Sequence, residues 1–325
     1  MARTGGSPAR GTTSLTGGVV AVDPATLAIF GRATRVAAAN CSVLITGETG
    51  TGKEVVAKFI HRSGPRRSHP FVPVNCGALP ETLIESELFG YRQGAFTGAV
   101  RDKKGYAEEA HRGVLFLDEV GEIPPVSQAR LLRFLESGEV PRLGDARPRW
   151  VDVAVIAATN CDLQRDVDRG RFRQDLLYRL RGVLLHVPPL RDRPRDIPAL
   201  VMDCLRQCAV RSGQPVRSLS DDAWTWLQEY QWPGNVRELK HMVGGAVAMS
   251  TGEVITRLDL VEAVGIPQSS RAQFLSTVAR DEEARRRLLE VLERFSGNRT
   301  RAARALGISR TTFWRRLRQP RARIT

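Results

Sequence analysis

The sequence predicts an α/β domain built on a parallel sheet, then a smaller helical subdomain and a small all-α domain at the C-terminus. Three observations lead there. Five short apolar runs recur between longer amphipathic stretches: Ser42–Thr46, Phe71–Val74, Val114–Leu117, Val153–Ala157 and Val183–Val187. Unbroken apolar strands alternating with helical segments indicate a parallel sheet covered on both faces. A glycine-rich loop joins the first run to a helical stretch, and residues 285–325 combine helical periodicity with a large excess of arginine.

Residues 1–22 (MARTGGSPARGTTSLTGG and the four that follow) lack the apolar stretch of a secretory signal and read as a flexible tail. Residues 23–188 form the predicted α/β domain. PPLRDRPRD at 188–196 interrupts the pattern with three prolines and alternating charge, and 189–263 reads as helical. A linker over 264–284 precedes the terminal domain, 285–325. Hydrophobic residues at 42% and charged residues at 26% give the balance of a soluble globular protein, and no apolar run reaches membrane-spanning length. The expected location is therefore cytoplasmic, with no membrane partner. Five scattered cysteines without a CxxC pair argue against a zinc site or a disulfide framework.

The first strand runs directly into Gly47-Glu48-Thr49-Gly50-Thr51-Gly52-Lys53-Glu54, followed by the helical VVAKFIHR. This is the G-x-x-x-x-G-K pattern between strand and helix. Its glycines let backbone N–H groups close around phosphate oxygens, the helix N-terminus adds a favourable dipole, and Lys53 can reach the β/γ-phosphates. Glu54 stands where most such loops carry a magnesium-binding Ser or Thr, which shifts that work to other groups. Val114–Leu117 delivers Asp118 and Glu119 at a strand end. Asp118 can hold Mg²⁺ through water, and Glu119 can polarise an attacking water as general base. ATP and Mg²⁺ are the expected ligands.

At these motifs the sequence resembles the sigma-54-dependent transcriptional activators, or bacterial enhancer-binding proteins, over roughly 23–263 and 285–318. Their P-loop likewise carries Glu after the lysine. ELFGYRQGAFTGA contains the family's hexapeptide intact: Gly94, Ala95, Phe96, Thr97, Gly98 and Ala99. VLFLDEVGEIP, VIAATNCDL, FRQDLLYRL, PPLRDRPRDIP and WPGNVRELK follow in the family's order.

The resemblance implies an AAA+ P-loop domain with a helical lid subdomain and a Fis-type helix-turn-helix. The hexapeptide would be the loop that touches sigma-54, with Phe96 giving apolar contact and Thr97 a hydrogen bond. Asn75 resembles a switch that hydrogen-bonds Glu119. Thr159 and Asn160 resemble the first sensor and Arg237 the second. Arg173 and Arg179 match the arginines that reach a neighbouring subunit's ATP, which implies a homo-oligomer, a hexamer when active or a dimer at rest. The function so implied is ATP-driven remodelling of the sigma-54 RNA polymerase closed complex into an open complex from enhancer DNA. Many relatives begin with a receiver or sensor domain, whereas about 22 residues precede the ATPase here. Control by a separate regulatory protein, constitutive action and loss of a regulatory domain all remain open. Gly244 and Gly245 depart from the bulkier residues usual in the lid helix and suggest a softer lid.

Residues 285–325 hold 13 arginines against Glu290 and Glu293, and so carry +11 of the chain's net +14. Leu288, Leu289, Val291, Leu292 and Phe295 supply a helical apolar face, Thr300–Leu306 a second helix, and Ser309 can cap a third. Phe313 and Leu317 face inward from that third helix, leaving Arg310, Thr312, Arg315 and Arg316 outward for DNA. With about five phosphate contacts, log K for DNA should fall against log salt with a slope near −4 to −5. A salt titration of DNA affinity checks this; a flat response would remove the electrostatic basis.

Overall fold

The computed structural model describes residues 14–15, 19–39, 41–145, 147, 149–263, 290–295 and 298–306. All five apolar runs become strands of one sheet: β1 (Val43–Thr46), β2 (Phe71–Asn75), β3 (Val114–Asp118), β4 (Ala154–Thr159) and β5 (Val183–His186). Their spatial order is β5-β1-β4-β3-β2, and every pairing is parallel. β2, β3 and β4 run slightly past their predicted ends because the ladder continues into polar residues. Asn75 lies opposite Asp118, and Thr159 opposite Thr46.

Alternation along the strands divides the core in two. Leu44, Leu115, Leu117, Val155 and Ala157 belong to one buried cluster, and Val43, Ile45, Val114, Phe116, Ile156 and Ala158 to the other. Helices α1 (Pro24–Ala37) and α2 (Lys53–Ser63) contribute to the second cluster. Helices α3 (Ile84–Phe89), α4 (Pro125–Ser137) and α5 (Gln174–Leu180) contribute to the first. Burial on both faces accounts for the near-continuous apolar runs; each fully buried large side chain adds roughly 1.5–3 kcal/mol.

Local chemistry sets the helix ends. Asp23 caps α1 by accepting from the Ala25 N–H at 3.0 Å, with Pro24 at the first turn. Gly138, at φ 71°, closes α4 with its N–H on the Phe134 carbonyl. Val19 and Ala21 are buried, so the chain enters the core before the predicted boundary at residue 23. Its entry is fixed by Asp196, fully buried, which accepts from the N–H groups of Val22 and Asp23, each at 2.7 Å, and from the Thr26 hydroxyl at 2.5 Å.

The chain divides into two compact units, one of residues 1–199 and 232–238, the other of 200–231 and 239–325. The division differs from a linear boundary at 188 because both 189–199 and 232–238 fall in the unit that holds the sheet. The chain crosses between units inside α6 (Asp196–Ser212) and α8 (Asn235–Met249). The second unit also contains α7 (Asp221–Glu229), α9 (Arg257–Ala263) and α10 (Arg299–Ala305, capped by Asn298). A short parallel pair, Ser218–Leu219 with Val254–Ile255, lies in the stretch read as wholly helical. Among the described residues no helix is long and apolar enough to cross a membrane.

Helix α8 runs unbroken through Gly244 and Gly245. A Cβ on Gly245 would stand 3.0 Å from the Ala263 Cβ of α9, so this glycine permits a close helix approach. A Cβ on Gly244 meets nothing within 4 Å. Gly244→Ala should therefore raise unfolding stability by about 0.5–1 kcal/mol, while Gly245→Ala yields no such gain. Urea denaturation of the two variants measures the contrast.

Candidate active site

The site lies at the C-terminal ends of β1, β2, β3 and β4, where open α/β sheets bind ligands. Gly47, Gly50 and Gly52 all take positive φ (152°, 78° and 101°), conformations that disfavour a Cβ. Gly52 precedes α2 without any side-chain cap, which leaves N–H groups at the start of α2 available to an anion. The Thr51 hydroxyl donates to the Glu48 carbonyl at 2.8 Å, and the Gly47 N–H reaches the Thr159 carbonyl at 3.3 Å. Lys53 folds back over the loop, donating to the carbonyls of Gly47 (2.9 Å) and Glu48 (3.1 Å). Burial lowers its pKa, against the opposing pull of Asp118 and Glu119. Glu54 is turned to Lys58 in an exposed ion pair at 2.6 Å.

Burial raises the pKa of Asp118, with the Lys53 charge holding it down. One of its oxygens accepts from the Glu119 N–H at 3.1 Å. Glu119 occupies the left-handed region at φ 55°, ψ 45°, unusual for a non-glycine residue and a common mark of a functional position. Its carboxylate lies over Gly77: a Cβ there would come within 2.4 Å of Glu119 Oε2 and 3.5 Å of Asn75 Oδ1. The expected Asn75–Glu119 hydrogen bond is not made here. The Asn75 oxygen instead accepts from the Ala78 N–H at 3.2 Å, capping the short turn Cys76–Ala78. Burial, with the nearby Asp118 and Glu119 charges, pushes the Cys76 thiol up to about 12, which disfavours the thiolate.

Thr159 is buried and accepts from the Cys161 N–H at 3.0 Å, while Asn160 donates to the Thr49 hydroxyl at 3.0 Å. The N–H groups of Val236 and Arg237 both donate to the Gly50 carbonyl, at 3.0 and 3.3 Å. Arg237 is thereby set at the nucleotide loop.

The two arginines of FRQDLLYR occupy different environments. Arg173 is exposed and grips Asp175 through Nε and Nη2, at 3.0 and 2.8 Å. Arg179 donates through Nε and Nη2 to the Leu135 carbonyl near the end of α4. Gln128, fully buried, ties the backbone of this segment to the acidic strand end. It donates to the carbonyls of Ile123 and Arg171 and accepts from the Arg173 N–H, all at 2.8–2.9 Å. Sequence reasoning missed Gln128 and Gly77, since a lone glutamine on an amphipathic helix and a glycine after a strand carry no distinctive spacing.

Gly94–Ala99 caps a short antiparallel pair, Gly90–Tyr91 with Lys103–Lys104. Hydrogen bonds from Gly94 N–H to the Ala99 carbonyl (2.9 Å) and from Ala99 N–H to that of Phe96 (3.0 Å) close the tip. Phe96 and Thr97 are exposed, and the Phe96 ring meets Tyr91 edge-on at 4.9 Å. Arg92 anchors the base through Asp102 (2.7 Å) and Asp145 (3.2 Å). Arg310, Thr312, Arg315 and Arg316 lie outside the described residues.

Mg²⁺ binding by P-loop enzymes needs one or two carboxylates, with water and phosphate completing the shell. The half-buried Asp118, close to Lys53, fits that requirement. Among the described residues no larger His, Cys, Asp and Glu cluster gathers for a metal.

Sheet order, P-loop and acidic strand end define an ATPase of the AAA+ class. Residues 19–186 match the Sigma-54 interaction domain, 191–276 an AAA+ ATPase lid domain, and 280–319 a bacterial regulatory protein domain of the Fis family. The chain is 44% identical over 313 residues to the transcriptional regulatory protein ZraR of Klebsiella oxytoca, covering 96% of this chain and 71% of ZraR. It is 44% identical over 296 residues to the Nif-specific regulatory protein of Azotobacter vinelandii, covering 90% of this chain and 56% of that protein. The crystal structure of NtrX from Brucella abortus in complex with ADP superposes with a TM-score of 0.71 at 34% identity, covering 92% of this chain and 69% of NtrX. The chain belongs to the family of sigma-54-dependent transcriptional activators.

Because Gly77 faces the Glu119 carboxylate, Gly77→Ala should displace it. Steady-state ATPase assays should then show kcat falling about 10–100-fold with KM for ATP within about threefold.

Proposed function

We propose that the protein couples ATP hydrolysis to remodelling of the sigma-54 RNA polymerase closed complex into an open complex. The observation that carries this reading is the exposed pair Phe96 and Thr97 on a tip with a fixed base, in the chain that also holds the P-loop. In this reading Gly47–Glu54 bind the triphosphate, with Thr159, Asn160 and Arg237 contacting or reporting the nucleotide. Mg²⁺, when bound, neutralises phosphate charge, and Asp118 with its water shell would hold it. Glu119 takes a proton from the attacking water, and Asn75 gates that step by hydrogen-bonding Glu119 in another nucleotide state.

Arg173 and Arg179 act on the ATP of a neighbouring subunit in a ring, which we take to be a hexamer. An arginine supplied in trans stabilises charge on the transferred phosphoryl group and is worth on the order of 10³–10⁵ in rate. To act so, Arg173 must exchange Asp175 for the phosphate, and Arg179 must leave the Leu135 carbonyl. The basic C-terminal domain, 285–325, holds enhancer DNA through Arg310, Thr312, Arg315 and Arg316 in a domain separate from the polymerase-contacting loop.

Purified protein, ATP, sigma-54 polymerase closed complex and promoter DNA provide the test. Wild type should open the promoter. Thr97→Ala should lose opening while keeping ATPase activity within about twofold, whereas Glu119→Gln should lose both by at least about 100-fold. Full opening by Glu119→Gln would show instead that nucleotide serves only as an assembly ligand.

A further inference from the structure

Glu48, inside the P-loop, directs its carboxylate out of the loop. Oε1 accepts from Arg191 Nη2 at 2.5 Å, and Oε2 accepts from Arg191 Nη1 at 2.9 Å and from Asn235 Nδ2 at 3.1 Å. Asn235, fully buried at φ 53°, also donates to the Thr49 carbonyl at 3.0 Å and accepts from the Leu190 N–H at 2.7 Å. Three chain segments, 47–53, 189–193 and 232–238, therefore meet through one carboxylate and one carboxamide.

The backbones fit closely at the same point. A Cβ on Gly50 would lie 2.3 Å from the Gly234 carbonyl oxygen, so glycine is required at 50 on contact as well as on φ. The Gly50 carbonyl accepts the N–H groups of Val236 and Arg237, and the Glu238 carboxylate accepts from the Gly234 N–H at 2.8 Å. Arg191 and Asn235 hold the Glu48 pKa well down, to about 2. Its contribution is thus complete above the ordinary carboxylate value of 4.5 and fades as pH falls towards 2, leaving the working range of an ATPase untouched. Half-exposed ion pairs contribute little to stability on their own. The geometry of this one has another use.

We propose that Glu48 is a positioning residue of the ATPase: bridged to Arg191 and Asn235, it clamps the turn Trp232–Glu238 onto the nucleotide loop and so sets where Arg237 meets nucleotide. The proposal rests on the reading of Arg237 as a nucleotide contact. Glu48 offers two acceptor oxygens to three donors, whereas a Gln offers one acceptor oxygen and turns an N–H₂ group towards the Arg191 guanidinium, and an Asp is one methylene shorter. Glu48 touches neither Asp118 nor Glu119, and its loss should therefore act on nucleotide affinity rather than on the chemical step.

The test compares Glu48→Ala, Arg237→Ala and the double variant in the full chain. Glu48→Ala should speed amide exchange of Val236 and Arg237 on the order of tenfold, leaving β1 and β3 unchanged. It should raise KM for ATP about tenfold with kcat within about threefold, and the double variant should be no worse than Arg237→Ala alone. Glu48→Asp should fail to restore KM. Unchanged exchange at Val236 and Arg237, or KM effects that multiply in the double variant, would overturn the proposal. Should Glu48→Ala not fold, Arg191→Gln removes the same bridge from its other end, with the same expectations. An Arg237→Ala variant with unaltered KM would refute the nucleotide role of Arg237 and with it this use of the clamp, while the exchange data would still decide whether Glu48 holds the turn.

Discussion

The arrangement of the site depends on the register of β1. Thr46, its last residue, lies opposite Thr159 of β4 on one side and His186 of β5 on the other. The nucleotide loop leaves from this point, and its first N–H is taken by the Thr159 carbonyl. A slip of one residue would turn Val43 and Ile45 to the face now filled by Leu44 and exchange the two halves of the core. The hydrophobic demand of two buried faces therefore holds a polar site at the strand ends in place.

Electrostatics at that edge are balanced against burial. Lys53 is pushed towards neutrality by desolvation while Asp118 and Glu119 favour its charge; Asp118 is pushed towards neutrality while Lys53 favours its charge. Each charge thus opposes the desolvation of the other in a partly dry site, where charges act more strongly than in water. A triphosphate brings negative charge to this edge, and its binding is favoured by Lys53 and by the open N-terminus of α2.

Hydrogen bonds through buried carboxamides connect the parts. Gln128 links the segment carrying Arg173 to the turn after Glu119, and Asn235 links the nucleotide loop to the turn carrying Arg237. Such groups are costly to bury unless all their bonds are made, so each fixes a single arrangement of the segments it joins. The loop bearing Phe96 and Thr97 is held differently, by half-exposed ion pairs of Arg92 with Asp102 and Asp145 at its base, with its tip left to solvent.

The five strands, the phosphate loop and the acidic pair at the end of β3 were legible in the sequence because each depends on local chemistry. Apolar runs report burial on two faces, glycines report backbone freedom, and Asp118-Glu119 directly follows its strand. The placement of 232–238 with the sheet was not legible, because it follows from bonds distant in sequence, such as that from Asn235 to Glu48, 187 residues apart, and those from Val236 and Arg237 to the Gly50 carbonyl. Gly245 read as a soft point in a helix, yet it marks where α9 approaches α8. Asn75 read as a partner of Glu119, yet its oxygen caps the next turn. Sequence by itself determined the five strands of the main sheet and the chemistry at their ends, since strand patterning, loop glycines and strand-end acids act within a few residues. Only the tertiary structure decided which polar groups satisfy one another, because a buried donor takes whatever acceptor the packing brings within about 3 Å.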